Sequence, residues 1–241
     1  MHRPLGFLAL ATLCLVGLHA LPASTDSLGQ PRAPRQSTDL LAQGTELSQP
    51  LFNGKDLTGW SLVTQEGADI AQVCHVTADG TMSVAGKPIG YLLVPATYTN
   101  YRFHGEWRWP AGADPKSNSG FLIHIASGPI DRKTWPLSFQ VQTKLNRGGD
   151  LLPMAGATFA EALSTKPGAA TPQLNRQQPS SEKPLGEWNT CDVVCRDGAL
   201  ECTINGVFQN KVTGCKPASG QIGIQLEGFP YELRNIWVSP L

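Results

Sequence analysis

Tyr101-Arg102-Phe103-His104-Gly105-Glu106-Trp107-Arg108-Trp109 alternates without a break. Tyr101, Phe103, Gly105, Trp107 and Trp109 share one parity, and Arg102, His104, Glu106 and Arg108 share the other. Successive side chains of a strand point to opposite faces, so this segment predicts a strand with one aromatic and one charged face. Downstream, the turn signal Asn118-Ser119-Gly120 leads into Phe121, Ile123 and Ile125 alternating with Leu122 and His124. After Gly128-Pro129, the segment from Ser138 to Lys144 sets Phe139 and Val141 against Ser138, Gln140, Gln142 and Lys144. Three such strands in one sheet would bury the apolar parity and gather Arg, His, Glu and Gln on the other face, which makes that patch the candidate site.

The rest of the chain is punctuated in the same way. Short strands are expected over Ile70–Val76, Thr81–Val84 and Tyr91–Val94, with turns at Asp79-Gly80 and Gly86-Lys87-Pro88. In the last third, Asp197-Gly198 and Asn205-Gly206 separate alternating segments, the strongest short-range hairpin signals. Ile222, Ile224 and Leu226 alternate with polar or small residues, and Leu233–Val238 closes the chain. About a dozen strands with no βαβ unit imply an all-β, antiparallel β-sandwich of jelly-roll type. Only 148–184 breaks the pattern, apart from a short helix expected over Ala157–Leu163. A connection this long borders or covers a binding site in many folds.

The 241 residues carry 19 basic and 19 acidic side chains, with 41% hydrophobic and 16% charged residues. Neutrality leaves no basic footprint for nucleic acid and no polybasic membrane patch. His2 and Arg3 precede an apolar run from Leu5 to Leu18, followed by small residues at Ala20 and Ala23. This reads as a signal peptide over 1–23 directing export to the periplasm or the extracellular space; the run is too short for a stable membrane span. Leu13 is too large for the residue before a lipidated cysteine at Cys14. A Ser/Thr/Gln/Pro-rich linker over 24–48 and a single domain over 49–241 follow.

With Cys14 in the leader, Cys74, Cys191, Cys195, Cys202 and Cys215 remain. An odd number leaves at least one unpaired even in an oxidising compartment. They read as small buried hydrophobes with room for one bridge. A zinc site would need a Cys-x-x-Cys pair or neighbouring histidines, and neither occurs.

Several segments, in this order, carry a family resemblance: Leu51-Phe52-Asn53-Gly54-Lys55-Asp56-Leu57-Thr58-Gly59-Trp60, Asn118-Ser119-Gly120-Phe121, Trp135-Pro136 leading into Gln140-Val141-Gln142, Gly186-Glu187-Trp188-Asn189, Ile204-Asn205-Gly206-Val207, Gln225-Leu226-Glu227-Gly228 and Leu233-Arg234-Asn235-Ile236. Together they resemble the 3-keto-disaccharide hydrolase domain family, which implies a concanavalin A-like lectin/glucanase sandwich. One position departs from it: where the family commonly carries Glu two residues before the Gln matched by Gln142, this chain has Gln140. Glutamine is neither a carboxylate base nor a strong cation ligand.

The resemblance implies a 3-keto-glycoside substrate. The C3 ketone acidifies the C2 hydrogen, so a base can form an enediolate that expels the C1 glycosidic oxygen, with water adding afterwards. Such chemistry needs a base, an acid for the leaving oxygen, and a divalent cation or hydrogen-bond donors at the enediolate. Glu106 and His124 are the expected proton-transfer residues, with Arg108 a donor to the enediolate or a hydroxyl. Asn118, Gln140 and Gln142 are expected to orient hydroxyls, Glu227 and Asp150 to serve as acid or metal ligands, and Trp135 or Trp188 to stack on a sugar face. Competing readings give Glu106 and Arg108 a cross-strand ion pair and His124 a structural hydrogen bond. A non-catalytic carbohydrate-binding module of the same fold is the alternative, and a retaining glucanase ranks last because no Glu-x-Asp-x-Glu run occurs.

Overall fold

The structure, a computed structural model, describes residues 47–241; the leader over 1–23 and nearly all of the 24–48 linker lie outside the described residues. The described chain forms fourteen strands and one helical turn: β1 (Gln49–Pro50), β2 (Ser61–Thr64), α1 (Ile70–Val73), β3 (Cys74–Val76), β4 (Met82–Val84), β5 (Gly90–Tyr98), β6 (Tyr101–Arg108), β7 (Gly120–Asp131), β8 (Trp135–Gln142), β9 (Leu151–Met154), β10 (Asn189–Arg196), β11 (Ala199–Ile204), β12 (Val207–Val212), β13 (Gly220–Leu226) and β14 (Tyr231–Pro240). They form two sheets, paired antiparallel throughout. The first runs β12-β11-β10-β6-β14-β4-β3 with β1 beside β14, and the second β2-β5-β13-β7-β8-β9. The antiparallel sandwich expected from the alternation is what forms.

The two hairpin signals act through backbone conformation. Asp197 and Gly198 have φ of 50° and 73°, and Asn205 and Gly206 φ of 50° and 76°. Two successive residues in the left-handed region match the twist of the flanking strands, so β10-β11 and β11-β12 close as two-residue hairpins.

The core lies between the sheets, where odd residues of β6 meet odd residues of β7 and β8. Phe103, Trp107, Phe121, Ile123, Phe139 and Val141 are all buried, and the Phe103 and Phe121 rings sit 5.0 Å apart, tilted by 60°. Trp60 donates its indole N–H to the Leu51 carbonyl and Trp109 to that of Thr143, so both rings are buried with a polar partner.

Three expectations are corrected, and the cysteines are buried as expected. β6 does not share a sheet with β7 and β8: it pairs with β10 and β14 in the other one. Alternation shows that a strand has two faces but not which strands flank it, and these partners come from the far end of the chain. Ile70–Val73 opens as a helical turn because the Asp69 side chain caps it, accepting from the Ala71 N–H. Ala157–Leu163 forms no helix; Thr158 pairs in an isolated bridge with Lys216 instead. All five cysteines among the described residues are buried free thiols, with no bridge.

Gly105 occupies the aromatic parity of β6 for a steric reason. A Cβ there would lie 2.9 Å from the Phe121 ring carbons and 3.0 Å from the Phe103 ring. Gly105→Ala is expected to push Phe121 off its rotamer and to lower unfolding free energy by about 1–3 kcal/mol, the usual cost of overpacking. A denaturation midpoint equal to or above that of the unmodified protein would exclude this reading.

Candidate functional site

The core parity of β8 and β13 leaves the opposite parity on the outer face of the second sheet. There Gln140 and Gln142 of β8 approach Gln225 of β13, although β7 lies between the two strands. Gly120 of β7 makes this approach possible: a Cβ at 120 would come within 2.6 Å of Gln140 Cγ and 2.7 Å of its Nε2. The Gln140 side chain therefore crosses β7 where there is no side chain to meet. Its Nε2 donates to Gln142 Oε1 and to Gln225 Oε1, both at 2.8 Å. All three carboxamides are nearly inaccessible, yet together they floor a cleft of about 990 Å³.

The cleft walls come from loops. Asn118 brings a buried Oδ1 with no hydrogen-bond partner to one side, and Lys144 stands beyond the end of β8. Pro153–Gly156 and Ala169–Gln173, from the long 148–184 connection, also line this cleft. Asp150 fastens that connection. Its buried carboxylate accepts from Arg147 Nε at 2.6 Å, Gln173 Nε2 at 3.0 Å and the Arg176 backbone N–H at 2.7 Å. Leu151 and Leu174 add a two-way backbone bridge. With its lone pairs turned to these donors, Asp150 positions the wall and is not free to act as an acid or a ligand. At the β7-β8 turn, Arg132 donates to the Ala170 carbonyl at 3.2 Å, closing the rim.

Glu227 follows β13 and lines this cleft with Trp135. Burial raises its pKa above the ordinary carboxylate value, and the Lys144 and Arg132 charges offset this only in part. A half-buried carboxyl beside a polar cleft, protonated more readily than usual, is a candidate for proton transfer.

The expected patch thus divides. Asn118, Trp135, Gln140, Gln142 and Glu227 come together on the second sheet. Glu106 and Arg108 lie on the outer face of the first sheet because β6 belongs there, and Trp188, immediately before β10 of the same sheet, packs beside them. Glu106 is saturated: Arg234 Nε and Asn235 Nδ2 each donate to it at 2.7 Å. Burial alone would raise its pKa, but those hydrogen bonds and the Arg234 and His104 charges hold it below the ordinary value. Arg108 pairs with Glu232 through Nε at 2.6 Å. Trp188 packs against two guanidinium groups, Arg234 at 4.1 Å and Arg108 at 4.6 Å from the ring centroid. These contacts describe a cross-strand ion ladder, with Arg234 and Glu232 of β14 as the partners of β6.

His124 faces neither outer surface. Against β13 the register gains a residue between Leu122 and Ile125, and His124 takes φ of 56°. The bulge flips the parity and turns the ring into the core, edge-on to Tyr101 and Phe139. Nδ1 lies 3.3 Å from the Pro217 carbonyl, to which it donates in the neutral form, and Nε2 is buried without a partner. Burial pulls its pKa down to about 4.

Gln225, Lys144 and Arg132 complete the cleft beyond the residues expected. Gln225 shares the outer parity of β13 with Gln221, so the signal was present; Arg132 had none, since only the turn geometry brings it to the rim.

The model of the 3-keto-alpha-glucoside-1,2-lyase-like domain family matches residues 48–239. Among curated proteins, none matches the sequence. A glycosyl hydrolase-like protein of Parabacteroides distasonis shares the fold, with 22% identity and a TM-score of 0.59 over 83% of this chain and 96% of that one. A second from the same organism gives 19% identity and a TM-score of 0.55 over 80% and 99%. A carbohydrate-binding module from Bacillus subtilis gives 10% identity and a TM-score of 0.53 over 76% and 96%. These solved structures share the antiparallel β-sandwich fold.

Two predictions follow from the geometry. Gly120→Ala should displace Gln140 and break its bond to Gln225, leaving Gln142 and Gln225 disoriented; a cost of about 1 kcal/mol at the floor corresponds to a roughly fivefold loss of sugar affinity. Calorimetric titration of both proteins measures it, and equal affinities would remove the carboxamide bridge from the site. For His124, the unfolded chain binds the proton near pH 6.5 and the folded one near 4. Stability is therefore full above pH 6.5 and is lost as pH falls toward 4, by about 3 kcal/mol. Urea midpoints across that window should decline less in His124→Leu, and parallel declines would contradict the assignment.

Proposed function

This chain belongs to the 3-keto-alpha-glucoside-1,2-lyase-like domain family, and on that premise we propose that it is an exported lyase or hydrolase of 3-keto-glycosides whose proton-transfer residue is Glu227. Family membership makes it a sugar-acting protein; the observation that carries the finer reading is the half-buried carboxyl of Glu227 beside the carboxamide floor, with its pKa raised by burial. The leader read from Leu5 to Leu18 supports action outside the cytoplasm.

A carboxylate whose pKa is raised is a stronger base once ionised. Glu227 takes the proton from C2, and the C2–H electron pair moves toward C3, whose carbonyl oxygen becomes the enediolate oxygen. The charge is met by Lys144 and by the carboxamide N–H groups of Gln142 and Gln225, which have no protein acceptor among the described residues. Collapse of the enediolate breaks the C1–O1 bond, and O1 leaves with the proton that Glu227 carried. Water then adds across the C1–C2 double bond at C1. Asn118, whose Oδ1 has no partner, accepts from a sugar hydroxyl, which would satisfy an otherwise costly buried oxygen.

A divalent cation does not suit these residues. Among the described residues, no three His, Cys, Asp or Glu side chains come together. The two carboxamide oxygens that would be its natural ligands both point at the Gln140 N–H2, which is a donor. No step is therefore routed through a cation.

The second reading, a carbohydrate-binding module, rests on the same neutral Gln140 in a cleft rich in hydrogen-bonding groups. One experiment separates them. A 3-keto-glucoside with a chromogenic leaving group should be cleaved by the unmodified protein and about 10²–10⁴-fold more slowly by Glu227→Gln, as for loss of a general acid–base group. Because the base must be ionised, kcat/KM should rise with pH through a pKa above the ordinary glutamate value. Saturable binding without turnover would favour the module, and full activity in Glu227→Gln would remove that residue from the mechanism.

A further inference from the structure

The carboxamide floor is held from beneath by two hydroxyls. The register of β13 with β7 ends at Ile224↔Phe121. Just past it, the Gln225 backbone carbonyl accepts from Tyr231 Oη at 2.7 Å and from Ser119 Oγ at 2.8 Å. A carbonyl oxygen has two lone pairs, so both donors are accommodated. Tyr231 opens β14 in the first sheet, and its ring is buried in the core. Its hydroxyl therefore reaches through the core to hold a strand end of the second sheet. The two residues joined by this bond bracket the connection Glu227–Pro230, which runs from the end of β13 to the start of β14. Resting on the reading of Glu227 as the proton-transfer residue, we infer that Tyr231 and Ser119 are positioning residues, and that the carbonyl they share sets where the Glu227 carboxyl stands in the cleft.

The middle of the connection is held as well. The Gly228 N–H donates to the Gly86 carbonyl at 2.7 Å, and a Cβ on Gly86 would overlap the Phe229 backbone, so the two segments lie directly against each other. Fixed at Gln225, Gly228 and Tyr231, the backbone leaves Glu227 little freedom to shift. The opposing charge is held from the same part of the core. The Trp109 ring packs on that of Tyr231, with centroids 5.3 Å apart, and its indole N–H donates to the Thr143 carbonyl at 3.1 Å. Thr143 precedes Lys144 and donates its own N–H to the Ser119 carbonyl at 3.0 Å. One aromatic pair of the first sheet thus secures both segments that carry the cleft charges, Glu227 and Lys144. Phenylalanine at 231 would fill the same core volume, so what the hydroxyl adds is the bond that ties the connection. A misplacement of about 1 Å in a reacting group costs up to roughly 10²-fold in rate, which gives that bond its catalytic weight.

The test applies Tyr231→Phe, Ser119→Ala and the double variant to the chromogenic 3-keto-glucoside. Each single variant leaves the carbonyl one donor and should lower kcat by about three- to tenfold with KM changed by less than about twofold; the double variant should lose more than the product of the two, up to roughly 10²-fold. The pKa in the kcat/KM profile should fall toward the ordinary glutamate value, because a loosened connection lets water reach the carboxyl. The Glu227 carboxyl carbon resonance, identified by its loss in Glu227→Gln, should report the same shift. The charged residues lining the walls around Glu227 are the same in every variant: Lys144, Arg132, Arg147 and Asp131 on one side, Glu66 and Lys87 on the other. A purely structural role would lower the denaturation midpoint without moving this pKa. Tyr101→Phe, which removes a buried phenol at the opposite end of β6 from Trp109, is the control and should leave kcat and the pKa unchanged. Unchanged kcat and pKa in the double variant overturn the inference while leaving the lyase reading intact. If Tyr231→Phe fails to fold, Ser119→Ala decides by the same two readouts. No cleavage by the unmodified protein defeats the lyase reading, and the positioning role falls with it.

Discussion

The Gln140 side chain lies across a strand that has nothing at that point to obstruct it, and the second sheet's outer face is organised by this single crossing. Without a Cβ at Gly120, β8 and β13 are joined over the top of β7 through one carboxamide. The arrangement uses Gln140 as donor to two oxygens, which fixes the orientation of Gln142 and Gln225 and leaves their N–H2 groups for a ligand. A charged group could not serve both roles at so little exposure without a counter-charge. The floor of the cleft is therefore neutral and directional, and the charges stand at its edges in Lys144, Arg132 and Glu227.

The two outer faces of the sandwich show what separates a binding surface from a stabilising one. On the first sheet, Arg102 and His104 share Asp192, Arg234 and Asn235 share Glu106, and Trp188 lies against two guanidinium groups. The charged side chains that β6 presents there each have a protein partner. Such ladders contribute modestly to stability and hold strands in register. At the cleft of the second sheet Asn118 Oδ1 is buried without a partner, which is the condition for a ligand to gain by entering.

Much of the architecture was legible because it is written locally. Alternation in β6, β8 and β13 separates core from outer face residue by residue, and Asp197-Gly198 and Asn205-Gly206 carry the turn chemistry that their φ angles express. The alternation of β8 also set Gln140 and Gln142 on its outer parity, while Asn118, Trp135 and Glu227 were named through the family resemblance; all five line one cleft. Two things were not written locally. The sheet to which β6 belongs depends on β10 and β14, and no property of Tyr101–Arg108 distinguishes those neighbours from β7. The side to which His124 points depends on one bulged residue, and a single added residue reverses a parity count. Glu106, Arg108 and His124 were misgrouped by these two effects alone.

The five buried thiols have a practical consequence. Burial pushes Cys195 and Cys202 up to about 12, so at neutral pH they are protonated as well as shielded, and only the thiolate is reactive. All five sit on or beside the first sheet: Cys191 and Cys195 on β10, Cys202 on β11, Cys215 just after β12, and Cys74 at the start of β3 on the opposite edge. No disulfide joins the strands among the described residues. Each thiol becomes reactive only while its own part of the sheet is open, so an alkylating reagent would time the local breathing of this fold strand by strand, with no probe added.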